Sequence, residues 1–231
     1  MKRLERSDLR TNDEYLVSRN AFRSFVIQVK TMRRIRLGSL FSLVFENQRT
    51  LLYELQEYLL AARIEDDAGI EEALKDMNSL IPRDNELRAT LFLEGHRRQI
   101  LEEWIPKLGQ IGSCLALGIG DGINVRSVPE AGRTWDTGMS SVQYVKFSFP
   151  NTALEAMGRQ EPVRLYIDHP DYQKSVDLTP ALADDLAHGL TPTAVDPAGK
   201  VDGGGGPRIR PYLSVSGVYK SPNPPDDPEG M

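Results

Sequence analysis

Apolar and polar positions alternate with two periods along this chain, and the period changes near residue 114. Upstream, the spacing is helical. In FENQRTLLYELQEYLLAARI, Phe45 to Ile64, a strand end runs into an amphipathic helix. Leu52, Leu55 and Leu59 keep a 3–4 residue spacing, and Leu51 and Tyr58 widen the stripe. Residues 12–36 read as a longer helix, capped by Thr11 or Asn12, with Asp13 and Glu14 in its first turn. Phe22, Phe25, Val26, Val29 and Met32 predict its buried stripe. Lys30, Arg33, Arg34 and Arg36 crowd its last turns, and Gly38 ends it. Leu40 to Phe45 is a short strand. Asp66 or Asp67 starts a further helix that buries Ile70, Ala73, Leu74 and Met77, before Pro82 stops the run. Leu87 to Leu93 reads as a strand, and Ile100 to Ile105 as a short helix cut at Pro106.

Downstream the period falls to two. Cys114–Ile119 and Ile123–Val128 flank Asp121-Gly122, a tight-hairpin signal. Strands follow at Val142–Phe149, Val163–Ile167 and Lys174–Leu178, with helices after Asn151 and after Thr179-Pro180. Beyond Leu190 lie eight of the fifteen prolines and the run Gly203 to Gly206. This composition predicts a flexible tail over 191–231, in which PYLSVSGVY (Pro211 to Tyr219) is apolar enough to dock. The expected architecture is α+β. A helical N-terminal half packs on a mostly antiparallel C-terminal sheet, in a single domain over residues 1–190, followed by a disordered C-terminal tail.

Composition narrows the function classes. The charge and hydrophobic content are those of a soluble globular protein, and no apolar run approaches the ~20 residues of a membrane helix. MKRLERSDLR has no apolar core behind its charges, so a secretory signal is not expected. A single cysteine, Cys114, excludes an intrachain disulfide and fits a cytoplasmic location. The net charge of −5 is uneven: residues 1–36 carry +6 and the remainder −11. The basic region can meet an acidic partner or pair with the acidic body. With no nucleic-acid motif and an acidic whole, nucleic acid is not an expected partner, nor is a membrane.

Several groupings carry candidate chemistry. GIGDG (Gly118 to Gly122) resembles a phosphate loop, but Ile123 to Arg126 continue as strand rather than helix, so it reads as a hairpin. Asp168-His169-Pro170 ends an apolar strand. It reads as a turn, or as an acid–base or metal-binding pair to which Asp171 could contribute. His96 and His188 suggest no function, and Cys114 reads as a small buried residue rather than a nucleophile. Around the stripe of the 45–64 helix, Glu46, Arg49, Gln56, Glu57 and Arg63 form either a solvated face or a ligand- or partner-facing patch.

Four stretches in order resemble domain-of-unknown-function family 3501, a bacterial family. They are FENQRTLLYELQEYLLAARI, NSLIPRDNELRATLFLE, TGMSSVQYVKF and VRLYIDHPDYQKSVDLTPALADDLA, and the resemblance spans about residues 1–190. In that family the VQYVKF strand usually carries His where this chain has Gln143, so a role for that imidazole has no counterpart here. The resemblance brings no reaction, metal or cofactor with it. It implies an accessory role beside rubrerythrin-like diiron proteins and iron–sulfur oxidoreductases. The leading expectation is therefore a non-catalytic accessory protein that binds a redox partner through its basic N-terminal helix, including Arg33 and Arg34, and the Glu46–Arg63 block. Two alternatives stand beside it. One is an enzyme or metal-dependent binder combining Asp168 and His169 with Glu46 or Glu57. The other is a small-anion binder gripping with Arg49 and Arg63.

Overall fold

The structure, a computed structural model, describes residues 1–94, 102–130 and 142–190. The expected tail, the residues around His96 and most of the loop before Val142 lie outside these. Eight strands form one antiparallel sheet: β1 (Arg34–Leu37), β2 (Phe41–Phe45), β3 (Glu86–Leu93), β4 (Leu115–Ile119), β5 (Ile123–Pro129), β6 (Val142–Ser148), β7 (Val163–His169) and β8 (Tyr172–Asp177). Their spatial order is β1-β2-β3-β6-β5-β4-β7-β8. The sheet curls until its two edges meet, where the Tyr172 hydroxyl donates to the Leu37 carbonyl at 2.6 Å. The result is a nearly closed barrel. Gly38 is needed at this seam: its φ is +70°, and a Cβ there would lie 2.5 Å from the Tyr172 hydroxyl oxygen.

The barrel interior is filled by alternate residues of every strand, as the period-two pattern requires. Leu37, Leu43, Leu91, Val145, Phe147, Leu117 and Leu165 are all buried there. Taking β1 as running upward, β3, β5 and β7 also run upward, and the other strands run down. The lower opening is plugged by α4 (Asn151–Gly158) and α5 (Pro180–Leu190), which follow the lower ends of β6 and β8. They contribute Ala153, Ala156, Met157, Leu182, Leu186 and Leu190 to the barrel core. Leu108 and the 3₁₀ turn Ile111–Ser113 fill the upper opening. Helices α1 (Asn12–Met32), α2 (Gln48–Ala62) and α3 (Asp67–Asn78) lie outside the barrel, where α2 and α3 bury Leu51, Leu55, Leu59, Ile70, Leu74 and Met77 together.

Most expected elements are present, and the α+β class holds. The sheet, however, is not confined to the C-terminal half, since β1, β2 and β3 supply three of its strands. The helix expected over 12–36 ends at Met32, and Arg34–Leu37 is a strand. Arg34-Ile35-Arg36-Leu37 alternates polar and apolar, and burying Ile35 and Leu37 in the barrel outweighs continuing the helix. Gly38 therefore turns a strand, not a helix. Phe25 and Met32, expected in the buried stripe of α1, are exposed; Tyr15, Phe22, Val26 and Val29 form that stripe. Gly120-Asp121-Gly122 is a hairpin loop of three residues, with positive φ at the two glycines.

Candidate functional site

The candidate residues on and before α2 are engaged within the fold. Glu46 is buried outside the barrel wall, where its carboxylate accepts from the Thr90 hydroxyl on β3 at 2.6 Å and from Thr50. Gln56, fully buried, holds the backbone of Arg10: its amide nitrogen donates to the Arg10 carbonyl at 2.5 Å, and its oxygen accepts from the Arg10 N–H at 3.1 Å. Glu57 ties α1 to α2. It accepts from the Tyr15 hydroxyl at 2.5 Å and from two nitrogens of Arg19 at 2.7 and 2.6 Å. Burial alone would raise the Glu57 carboxyl, but the Arg19 and Tyr15 donors outweigh it and hold the carboxyl below its ordinary value. Burial, with the Glu57 charge, pushes the Tyr15 phenol up.

Arg49 and Arg63 stand at the two ends of α2. Arg49 is exposed, with its guanidinium 5.7 Å from the centre of the Phe25 ring. Arg63 is the left-handed C-cap. Fourteen residues of helical rise separate them by about 21 Å, so they cannot grip one small anion together.

His169 and Asp168 end β7 at the upper rim. His169 is buried, and its Nδ1 accepts from the Asp171 N–H at 3.1 Å. The proton therefore belongs on Nε2, which donates to the Gly109 carbonyl at 3.2 Å. This is the turn reading of Asp168-His169-Pro170. Asp168 is exposed, 3.9 Å from Arg126. Glu46 leaves β2 at the lower rim, so the expected combination of Asp168 and His169 with Glu46 is divided between opposite ends of the barrel. Roughly six residues of strand, about 20 Å, lie between those rims. Glu57 is engaged on α2 against Tyr15 and Arg19 of α1. Among the described residues, no three His, Cys, Asp or Glu side chains gather as a metal-binding group. Burial and the Asp168 charge push the Cys114 thiol up, which keeps it protonated and weakly nucleophilic. Gln143 is buried inside the upper barrel, with its oxygen 2.5 Å from where a Cβ on Gly112 would stand.

The basic residues near the end of α1 are also used internally. Arg33 is buried, donates to the Phe45 carbonyl at 2.8 Å and to the Glu46 carbonyl at 3.5 Å, and pairs with Asp185 of α5. Arg34 donates to Ser42 at 2.5 Å and to Glu94 at 2.7 Å. Lys30 pairs with Glu54. Arg33 and Arg34, the residues expected to meet a partner, thus pair with the acidic body of the fold.

Two cavities lined by described residues bear on the site. One, beside Glu46, Arg88, Glu130 and Tyr144, holds about 10 Å³, room for a single water at most. The other is an open groove of about 770 Å³ between the N-terminal segment, α3 and the loop that follows it. Asn78 builds the groove by pairing its side-chain amide with both backbone groups of Leu4, at 2.8 and 2.9 Å. Its rim carries Arg3, Arg6, Lys75 and Arg83 against Glu5, Glu71 and Asp84. Arg6 reaches Asp67 only at 3.9 Å, and Arg3, Lys75 and Arg83 are exposed, without an ion pair to a described residue. The charge count of residues 1–36 pointed to this end of the chain, but not to these side chains, because Lys75 and Arg83 come from elsewhere in the sequence.

The fold and its residues match one family. The family model described as a protein of unknown function, DUF3501, matches residues 3–190, and the chain belongs to that family. Its structure is similar to the crystal structure of a novel protein of unknown function from Burkholderia pseudomallei. The TM-score is 0.78 and the sequence identity 26%, covering 82% of this chain and 100% of that one. No curated protein matches the chain. Among the described residues, no helix is long and apolar enough to cross a membrane.

Proposed function

We propose that this protein is a non-catalytic accessory protein, and that the groove between its N-terminal segment and α3 docks an acidic stretch of a partner protein. The supporting observation is the set of cations around that groove. Arg3, Lys75 and Arg83 come from three separate segments, face one open space, and have no ion pair within the described fold. Unpaired cations around a concavity attract acidic segments, speed their association and make binding sensitive to salt. The partner class comes from the family resemblance: a rubrerythrin-like or iron–sulfur redox protein. The internal engagement of Glu46, Gln56, Glu57 and His169 fits a scaffold more readily than a reaction centre.

The test is binding of the full-length chain to a purified rubrerythrin-like protein and to an iron–sulfur oxidoreductase from the organism that encodes it, at low and at raised salt. The triple variant Arg3→Glu/Lys75→Glu/Arg83→Glu changes only exposed positions. It is expected to weaken binding by ten-fold or more, and added salt to weaken the wild type in parallel. Binding that the triple variant leaves unchanged would overturn the groove as the docking site.

A further inference from the structure

The outward face of α1 carries five of the six large hydrophobic side chains exposed among the described residues, and the groove does not use it. Leu16, Val17, Ile27 and Met32 are 53%, 91%, 52% and 68% exposed, and Phe25 is 39% exposed. A surface helix ordinarily turns charge to solvent on this side. Here the outward positions from Leu16 to Met32 carry none: between the apolar residues stand Asn20, Ala21, Ser24, Gln28 and Thr31. The three cations in that span, Arg19, Arg23 and Lys30, are only partly exposed and sit on the flank that meets Glu54 and Glu57 of α2. The hydroxyls of Ser24 and Thr31 are turned back onto the carbonyls of Asn20 and Ile27 at 3.0 and 2.8 Å, so they do not require water.

The order of these residues along the face is symmetric. Every fourth position reads Leu16, Asn20, Ser24, Gln28, Met32: apolar, amide, small, amide, apolar. The sequence of chemistries is the same from either end. In a twofold antiparallel helix pair centred on residue 24, residue i of one chain meets residue 48 − i of the other. Leu16 then meets Met32, Asn20 meets Gln28, Val17 meets Thr31, and Ser24 meets itself at the crossing, where a small side chain lets the backbones approach. The charges at the ends agree with this direction. Asp13 and Glu14 are exposed at the N-terminal end, and Arg36 is exposed just beyond the C-terminal end. Antiparallel pairing sets each end near its opposite, whereas parallel pairing sets like against like.

We infer that the occupant of this face is a second copy of this chain, bound through antiparallel α1–α1 pairing about Ser24. One helix face about 24 Å long falls short of the roughly 800 Å² per partner of a standard interface, so the dimer belongs to the reversible, micromolar class. The face is separate from the cationic groove, so either reading can fail alone.

The experiment is sedimentation equilibrium on the full chain across the micromolar range, with circular dichroism to confirm that each variant is folded. The wild type is expected to show a concentration-dependent monomer–dimer equilibrium. Ser24→Arg, at an exposed position where Arg keeps the helix, sets two like charges together at the axis and is expected to weaken dimerisation by at least ten-fold. Val17→Glu alone is expected to shift the equilibrium, and Val17→Glu/Thr31→Lys to restore association, because each new Glu then faces the other chain's new Lys. A wild type that is monomeric throughout, a dimer indifferent to Ser24→Arg, or a double variant no better than Val17→Glu would each overturn the inference. So would protection of the α1 amides from exchange that is independent of concentration and lost on deleting residues 191–231, which would assign the face to the chain's own tail.

Discussion

Arg33 and Asp185 lie 152 positions apart, yet their ion pair joins the end of α1 to the helix that plugs the lower end of the barrel. The two partners are not equivalent. Arg33 is buried and also serves the Phe45 carbonyl, whereas the Asp185 side chain is about half exposed. Replacing Arg33 by Met strips a donor from a buried carbonyl and removes the charge that Asp185 faces. A loss of about 3 kcal/mol is expected. Asp185→Asn should cost less than about 1 kcal/mol, because its carboxylate is well solvated. Urea denaturation of the two variants checks this asymmetry, and equal losses would contradict it.

Acid stability should report on Glu57. Its carboxyl is held below the ordinary value in the folded state, so the stabilisation is fully present above the unfolded value near 4.5. It is lost as the pH falls through the folded value. Glu57→Gln is expected to destabilise the fold at neutral pH by about 2 kcal/mol for the charged hydrogen bonds, read as a lower urea midpoint. The wild-type and variant curves should then converge in acid. A gap between them that stays constant with pH would show that Glu57 acts by packing alone.

Lys30 has the opposite sign. Burial pushes its ammonium below the ordinary lysine value, with the nearby Glu46 charge opposing. Folding therefore disfavours the proton on Lys30, and stability contributed at this position rises as the pH climbs toward 10.5. Lys30→Met leaves Glu54 without its partner and should destabilise. Adding Glu54→Leu should recover much of that loss, since an apolar pair often matches an ion pair largely withdrawn from water. Thermal melts of both single variants and the double variant complete the cycle, and simple additivity would count against it.

At the seam, Tyr172→Phe keeps the ring contacts to Phe41 and Trp104, whose centroids lie 5.2 and 6.2 Å away. It removes only the donor to Leu37. A cost of about 1–2 kcal/mol is expected. Amide exchange should quicken in β1 and β8 before it does in β3 or β6; uniform acceleration would mean that the seam opens only with the whole fold.

Local signals in the sequence were reliable where a single element answers to its own periodicity. Leu87–Leu93, the hairpin around Asp121, and the stripe of Ile70, Ala73, Leu74 and Met77 are all present. The local signal is ambiguous where two periods compete. Arg34-Ile35-Arg36-Leu37 alternates over only four residues, and the helical run before it masked that alternation. Phe25 and Met32 show a second limit, because helical spacing groups residues on a face without saying whether that face turns inward. Where the candidate site residues sit relative to one another was not legible, for a nonlocal reason. Glu46 and His169 are each polar residues at strand ends, but which rim each strand end reaches depends on strand order and direction around the whole barrel. The partners Thr90, Arg10, Tyr15 and Asp185 all come from distant segments.

The contact between Tyr172 and Leu37 also bears on how the protein behaves when crowded. An open eight-stranded sheet would present two unsatisfied strand edges, each a template for recruiting further chains. Here the two edges face one another, and β1 is only four residues long. A replacement that opens this seam should therefore reveal itself first as aggregation on storage or overexpression, before any loss of secondary structure.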